Sequence, residues 1–194
     1  MMDIPPGNEL ENPYDGASSQ PAFPWRGQIT CHPAPGREGS PDGTSAAVDQ
    51  VAALFGAAAA ADFSLTDDAV AYHGPEEWSL RRMVLHYAKL CALAGGVESF
   101  LIGSEFEALT RVRAGGGIYP AVNELISLAS EARTILGADT KISYAANWSE
   151  NATHVVDAEA KEVRFPLDPL WANENIDFVG LDYYAPLSDW REGN

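Results

Sequence analysis

Three short apolar segments in the second half of the chain end in polar or aromatic side chains, and this pattern constrains the fold most. They span residues 100–105, 141–148 and 176–184. Amphipathic helical sequence separates the first two. Buried parallel strands have short apolar sequences, and a crossover of a dozen or more residues, usually helical, connects one strand to the next. The order predicts an α/β fold whose parallel strands carry functional side chains at their C-terminal ends, as at the active face of a (β/α) barrel.

Apolar residues at helical spacing predict three helices, each with a typical start residue and a glycine stop. They begin after Thr44 or Ser45, after Ser79 and at Pro120, and they end near Gly56, Gly95 and Gly137. The apolar stripe of the second helix comprises Leu80, Met83, Val84, Tyr87, Leu90, Cys91 and Ala94. Residues 25–30 are predicted to be extended, and residues 62–78 and 149–172 are predicted to be irregular.

Length and charge narrow the class of protein. A chain of 194 residues is expected to form one domain over residues 1–194. The formal net charge of −16 argues against nucleic acid and against an anionic membrane surface as partners, and it is compatible with a neutral ligand such as a sugar. No uninterrupted apolar stretch of about 18 residues predicts a membrane span, and the N-terminus does not resemble a signal peptide.

The sequence predicts no metal site and no cofactor. Cys31 and Cys91 lie far apart and form no CxxC pair, and the four histidines have no ligand spacing. Cys31 precedes His32, but adjacent residues of an extended segment point to opposite sides, which disfavours a Cys–His nucleophile. Nucleotide-binding, zinc-protease and serine-hydrolase motifs are missing from the sequence.

Glu105 is the leading candidate for catalysis, because it follows an apolar strand directly and is expected at the mouth of the barrel. A carboxyl group partly screened from water can act as a general acid near neutral pH, and glycoside hydrolysis pairs such an acid with a second carboxylate. Asp182 and Glu150 are the two candidates for that second group. The alternatives are a helix N-terminal contact for Glu105, a turn contact for Asp182 and an exposed loop position for Glu150, which we favour for Glu150.

Aromatic side chains cluster near the same predicted strand ends. They are Trp148, Tyr183, Tyr184 and Trp190. Sugar rings stack on aromatic planes, and a neighbouring amide such as that of Asn147 can bond a sugar hydroxyl. Each aromatic ring can alternatively serve in core or rim packing.

Several segments carry a resemblance to a known family. They are WRGQITCHP at 25–33, LIGSE at 101–105, YAANWSE at 144–150, LDPLW at 167–171 and DFVGLDYYAPLSDW at 177–190. Together they resemble the TIM-barrel-like domain of gene transfer agent proteins, which belongs to the large baseplate protein at the tail tip of phage-like particles made by alphaproteobacteria. The resemblance implies a TIM barrel, assembly with other tail or baseplate proteins in a particle made in the bacterial cytoplasm, and contact with polysaccharide or peptidoglycan.

That domain in turn resembles clan A glycoside hydrolases, in which an Asn-Glu pair ends the fourth strand and its Glu is the general acid/base. Glu105 matches that Glu, whereas Ser104 stands where the Asn is expected. By this count the chain covers about strands 3 to 6, and the nucleophile of the seventh strand is expected beyond Asn194. The implied catalytic residues are Glu105 and Asp182. The implied sugar-binding residues are Ser104, Asn147, Trp148, Tyr183, Tyr184 and Trp25.

Two functions follow from the resemblance. One is a hydrolase-like module that binds or cleaves cell-envelope glycan, and the other is a structural baseplate module that keeps the barrel without catalysis. Because the expected nucleophile is missing, the chain alone is predicted to be hydrolytically inactive. Open strand edges and apolar helix faces further predict marginal stability or aggregation.

Overall fold

A computed structural model describes residues 8–185, and its elements alternate between helices and strands in an α/β arrangement. The helices are α1 (Ala46–Phe55), α2 (Leu80–Leu93), α3 (Glu107–Thr110), α4 (Pro120–Leu136) and α5 (Asp168–Trp171). The strands are β1 (Phe63–Leu65), β2 (Val70–Tyr72), β3 (Ser99–Ser104), β4 (Lys141–Asn147), β5 (His154–Asp157), β6 (Glu162–Arg164) and β7 (Gly180–Asp182). Short 3₁₀ turns cover Arg26–Gln28, Ala60–Asp62 and Gly115–Gly117.

The three predicted apolar segments form one parallel sheet with the order β3-β4-β7. The parallel direction confirms the prediction from the sequence. All three strands therefore end at the same edge of the sheet. Ser104 lies opposite Ala145 and Asn147 lies opposite Asp182, so the side chains that follow the apolar segments are brought together.

Strand β7 is shorter than the predicted strand over residues 176–181, because the preceding residues join β4 through side chains as well as through the backbone. The backbone N–H of Asp177 donates to the carbonyl of Ile142 at 2.8 Å. The Asp177 carboxylate accepts a hydrogen bond from the backbone N–H of Ile142 at 2.7 Å. The Ser143 hydroxyl donates to the carbonyl of Phe178 at 2.5 Å. Regular pairing begins at Gly180, where a Cβ atom would stand 2.5 Å from the carbonyl oxygen of Tyr144. Glycine at this position lets β7 approach β4 closely.

Helix α4 packs against the sheet and against α1 and α2, and its inner face supplies much of the core. Pro120 begins the helix and Gly137 follows its last residue, as predicted. Its fully buried residues include Ala121, Leu125, Leu128, Ala129 and Ala132. Strand β4, which contacts this helix, is buried on both faces, and Ile142 and Tyr144 have no exposed surface.

Helix α2 forms as predicted, but its buried face coincides only in part with the expected apolar stripe, of which Val84 is buried. Met83 and Tyr87 are 52% and 57% exposed, whereas Leu85 and Arg81 are buried. Arg81 is accommodated because its guanidinium donates to the carbonyl of Ala58 at 2.9 Å and faces two acidic side chains of α4. Periodicity identifies an apolar stripe, but the neighbouring helix decides which side of α2 is covered.

Three segments differ from the prediction. Residues 62–78 contain the antiparallel hairpin β1–β2, and residues 149–172 contain a second hairpin, β5–β6, followed by α5. Within residues 25–30, which are predicted to be extended, Arg26–Gln28 form a 3₁₀ turn, whereas Trp25 and Ile29 on either side have extended backbone angles. The hairpin strands are three or four residues long, which is too short for an alternating pattern to stand out.

Candidate functional site

The carboxyl ends of the three parallel strands place four predicted site residues in one cluster, the carboxylate rim. It consists of Ser104, Glu105, Asn147 and Asp182. The amide nitrogen of Asn147 donates to Glu105 Oε1 at 3.2 Å, and the Ser104 hydroxyl donates to Asp182 Oδ2 at 2.7 Å. These contacts join residues that are 42 and 78 positions apart in the chain.

Glu105 is enclosed by hydrogen-bond donors and is only 4% exposed. The Trp25 indole N–H and the Arg26 guanidinium both donate to Oε2 at 3.0 Å, while Asn147 donates to the other oxygen. The backbone of Glu105 has φ +56°, a left-handed conformation that a glutamate seldom adopts. Backbone strain of this kind is held by surrounding contacts and occurs at functional sites. Here it turns the Glu105 side chain back across the end of the sheet.

Arg26 is the rim contact that sequence reasoning missed. Besides its ion pair with Glu105, it donates to the carbonyl of Ser104 at 2.8 Å and to the Ser104 hydroxyl at 3.0 Å. The guanidinium therefore ties the 3₁₀ turn at Arg26–Gln28 to the end of β3. Arg26 lies within the segment that carried the family resemblance, but an ion pair between residues 79 positions apart leaves no local pattern.

Glu150 is buried, which corrects the prediction of an exposed loop carboxylate. Its exposed fraction is 2%. The Tyr144 hydroxyl and the Thr110 hydroxyl donate to Oε1 at 2.8 and 2.9 Å, and the backbone N–H of Asn147 donates to Oε2 at 3.0 Å. Burial raises the pKa of Glu150 to about 7, because the charged form loses solvation that these three donors replace only in part.

Glu150 therefore lies behind the rim rather than on it. Tyr144 also accepts a hydrogen bond from the backbone N–H of Phe106 at 2.6 Å, and desolvation raises the pKa of its hydroxyl well above the usual range. The Tyr144 hydroxyl thus links the backbone of Phe106 to Glu150, and the rings of Tyr144 and Phe106 stack with 6.2 Å between centroids. A ligand on the surface of the protein meets Asn147 and Asp182 before it meets Glu150.

The predicted sugar-binding aromatic residues take two different positions. Trp148 is 55% exposed and stands edge-on to Tyr183 with 6.2 Å between ring centroids, and Tyr184 follows with an exposed ring. Trp25 instead directs its indole N–H to Glu105. Trp190 lies outside the described residues. The exposed Trp148–Tyr183 pair thus borders the carboxylate rim through Asn147 and Asp182, its neighbours in the chain.

An apolar groove of about 720 Å³ runs between α2 and the free side of β3. Its walls include Met83, Tyr87, Phe100 and Leu101, and it reaches Arg26 at one end. The lining is mainly aliphatic and aromatic. It suits contact with a protein surface better than contact with a hydroxylated sugar.

Within residues 8–185, no group of histidine, cysteine, aspartate and glutamate side chains has the geometry to hold a metal ion. In the same part of the chain, no helix combines the length and the apolar character that a membrane crossing requires.

Comparison with known proteins identifies the family. A search of curated protein sequences finds no match to this chain. The family model of the GTA TIM-barrel-like domain matches residues 78–194, a range that contains the whole parallel sheet and the carboxylate rim. Because the match covers more than half of the chain, the protein belongs to the family of GTA (gene transfer agent) TIM-barrel-like domains.

Proposed function

We propose that this protein is a glycoside-hydrolase-like TIM-barrel module of a baseplate in a phage-like particle, and that it binds cell-envelope glycan at the carboxylate rim. In this proposal β3, β4 and β7 correspond to barrel strands 4, 5 and 6. The observation that carries it is the exposed Trp148–Tyr183 pair beside Asn147 and Asp182. Stacking surfaces next to oriented polar groups are what a sugar ring requires.

Each part of the rim has a distinct role in glycan binding. The exposed indole of Trp148 offers a flat apolar surface for one face of a sugar ring. The partly exposed Asp182 carboxylate, which Ser104 already orients, accepts hydrogen bonds from sugar hydroxyls. Polysaccharide and peptidoglycan both present the ring faces and hydroxyls that this surface suits.

Cleavage is the finer part of the proposal, with Glu105 as general acid/base and Asp182 as the second carboxylate. A general acid must reach the glycosidic oxygen within hydrogen-bond distance. Trp25 and Arg26 both occupy Oε2 of Glu105, so one of them has to move before a glycosidic oxygen can reach that atom. Binding at Trp148 requires no such movement, and for this reason binding is the primary proposal.

A non-catalytic structural module of the baseplate is the second candidate. The specific observation in its favour is the apolar groove beside α2, because Met83, Tyr87 and Leu101 are each about half exposed there. Exposed apolar surface of this kind is common where proteins assemble. In this case Glu105 would act only as the buried partner of Arg26.

Trp148→Ala is expected to weaken glycan binding by about threefold to tenfold, the loss that corresponds to one aromatic stacking contact. The measurement is isothermal titration with soluble peptidoglycan fragments, with sedimentation on insoluble peptidoglycan and on mannan or glucan. Trp78→Ala is the matched control, because Trp78 is 94% exposed and stacks on Arg82 rather than on the rim. Equal losses in both variants would remove Trp148 from the site.

The same titrations decide between the two candidates. Glycan binding by the wild-type protein supports the hydrolase-like module, whereas no binding to any of these polymers supports the structural module. Release of reducing sugar by the wild-type protein but not by Glu105→Gln would add cleavage to binding. Equal release by both proteins would exclude Glu105 from the mechanism.

A further inference from the structure

Glu150 has three hydrogen bonds and almost no contact with solvent, yet no step of glycan binding or cleavage uses it directly. Glu150 lies in the turn that follows β4, and this position brings its carboxylate to the backbone of Asn147. Residues 147–151 form a turn at the end of β4, closed by the backbone N–H of Asn151, which donates to the carbonyl of Asn147 at 3.0 Å. The carboxylate of Glu150 lies beneath this turn and accepts the backbone N–H of Asn147.

The side chain of Asn147 is fixed at both of its polar atoms. Its carbonyl oxygen accepts from the backbone N–H of Ser149 at 3.0 Å. The Ser149 hydroxyl also lies 2.7 Å from this oxygen, and its single hydrogen is shared between it and Glu107 Oε2 at 2.8 Å. The amide nitrogen of Asn147 consequently points toward Glu105. Because Glu150 holds the backbone of Asn147, the same carboxylate sets the position from which the amide reaches Glu105.

We propose that Glu150 is a positioning residue for the carboxylate rim: in its ionised form it holds the turn at residues 147–151, and through it the Asn147 amide and the Trp148 indole. The role of Glu150 in ligand binding rests on the proposed function, whereas its role in positioning Asn147 does not depend on that function. Protonation of Glu150 replaces a charge-assisted hydrogen bond to Asn147 with a neutral one, which is weaker. The rim is therefore held less firmly when Glu150 is protonated.

The surroundings of Glu150 can accommodate both protonation states. From α3, the Thr110 hydroxyl donates to the carboxylate, but the carbonyls of Phe106 and Glu107, both at 3.2 Å, offer it alternative acceptors. Thr110 can therefore turn its hydrogen toward one of these carbonyls and accept a hydrogen bond from protonated Glu150. From β4, Tyr144 remains a donor, because its oxygen already accepts the N–H of Phe106.

The other charges near Glu150 do not offset its burial. Glu107 on α3 repels the ionised form and raises the pKa of Glu150 further. Arg111 is engaged elsewhere, since it pairs with Glu107 at 2.7 Å and donates to the carbonyl of Ser149 at 2.8 Å. The pKa of about 7 therefore places the change of protonation in the neutral range.

Nuclear magnetic resonance tests the positioning without any ligand. In the wild-type protein, the backbone and side-chain amide resonances of Asn147 are expected to shift with one midpoint near pH 7. Glu150→Gln, which cannot ionise, is expected to abolish this titration, while the surface variant Glu159→Gln keeps it. The same titration in Glu150→Gln, or none in the wild-type protein between about pH 5 and 9, would overturn the proposal.

Thr110→Val provides a second variant if Glu150→Gln fails to fold. It removes one donor to the ionised carboxylate, so the midpoint of the Asn147 shift is expected to rise. An unchanged midpoint, or one that falls, would contradict a carboxylate held by Thr110.

Ligand binding supplies an independent measurement. The affinity for soluble peptidoglycan fragments is expected to fall by about tenfold as the pH drops through the midpoint, the equivalent of about one net hydrogen bond. Glu150→Gln is expected to show no such step. If the wild-type protein binds no fragment at any pH, the proposed function fails, whereas the Asn147 titration still decides the role of Glu150. A step that persists in Glu150→Gln would overturn that role.

Discussion

Arg26→Met is expected to lower the free energy of unfolding by about 3 kcal/mol, because it leaves the Glu105 carboxylate buried without its cation. Arg26 makes three hydrogen bonds at the rim, and the side chain of Glu105 is only 5% exposed. The side chain of Arg26 itself is 31% exposed, so water can compensate in part, and the expected loss is at the lower end for a buried pair. Urea denaturation monitored by circular dichroism measures the difference.

A double-mutant cycle separates the ion pair from the loss of packing. When Glu105 is already glutamine, Arg26→Met is expected to cost at least about 1 kcal/mol less than in the wild-type protein, since no charge is left unpaired. The matched control is Arg164→Met, because Arg164 pairs with Glu162 on the surface at 2.5 Å. Exposed pairs contribute about 1 kcal/mol or less. Equal losses for the two arginine variants would mean that the rim does not depend on Arg26.

The sheet was predictable from the sequence, because the signal for buried parallel strands is local. Each short apolar strand, and the apolar stripe of the helix between two of them, is indicated by a short stretch of neighbouring residues. Once the strands are predicted, the residues at their C-terminal ends are known, so Glu105, Asn147 and Asp182 are expected at one edge of the sheet. The hydrogen bonds of Glu105 and Asp182 to neighbouring strands are consistent with this expectation. Their roles in binding and catalysis stay predictions.

Contacts between distant segments were not predictable in the same way. The sequence predicts an exposed Glu150, because this residue follows a strand in a polar loop and nothing near it in sequence signals burial. Its burial depends on Thr110, 40 residues away, and on a tyrosine of β4. Arg26 presents the same difficulty, since its partners Ser104 and Glu105, at the end of β3, come almost 80 residues later. Long-range pairing of polar groups has no period, so only the folded chain reveals it.

The candidate site includes residues outside the range that the family model matches. The matched range begins at residue 78, just before α2, and includes the parallel sheet. Trp25 and Arg26 lie before that range, yet they bond to the central carboxylate of the rim. Within this protein, the N-terminal segment is therefore part of the candidate site.

The pH dependence of stability is the second large expected effect, and it arises from Glu150. The pKa of this carboxyl is raised from 4.5 to about 7 by burial. Below pH 4.5 Glu150 is protonated in both the folded and the unfolded chain, so it adds no pH dependence to the free energy of unfolding there. Between pH 4.5 and about 7 the folded chain binds more protons, and its free energy of unfolding falls as the pH rises. The full loss, about 3 kcal/mol, is reached above pH 7.

Comparison with Glu150→Gln isolates this effect. His154 contributes the opposite slope below its ordinary pKa of 6.5, because burial lowers its pKa, but His154 is present in both proteins and cancels in the difference. The free energy of unfolding of Glu150→Gln minus that of the wild-type protein is expected to be about 3 kcal/mol larger at pH 8.5 than at pH 4.5. Urea titrations at several pH values measure the difference, with Glu159→Gln as the control that stays parallel to the wild type. If the curves for Glu150→Gln and the wild-type protein are parallel as well, the pKa of Glu150 in the folded protein stays near its ordinary value of 4.5, and burial does not govern its charge.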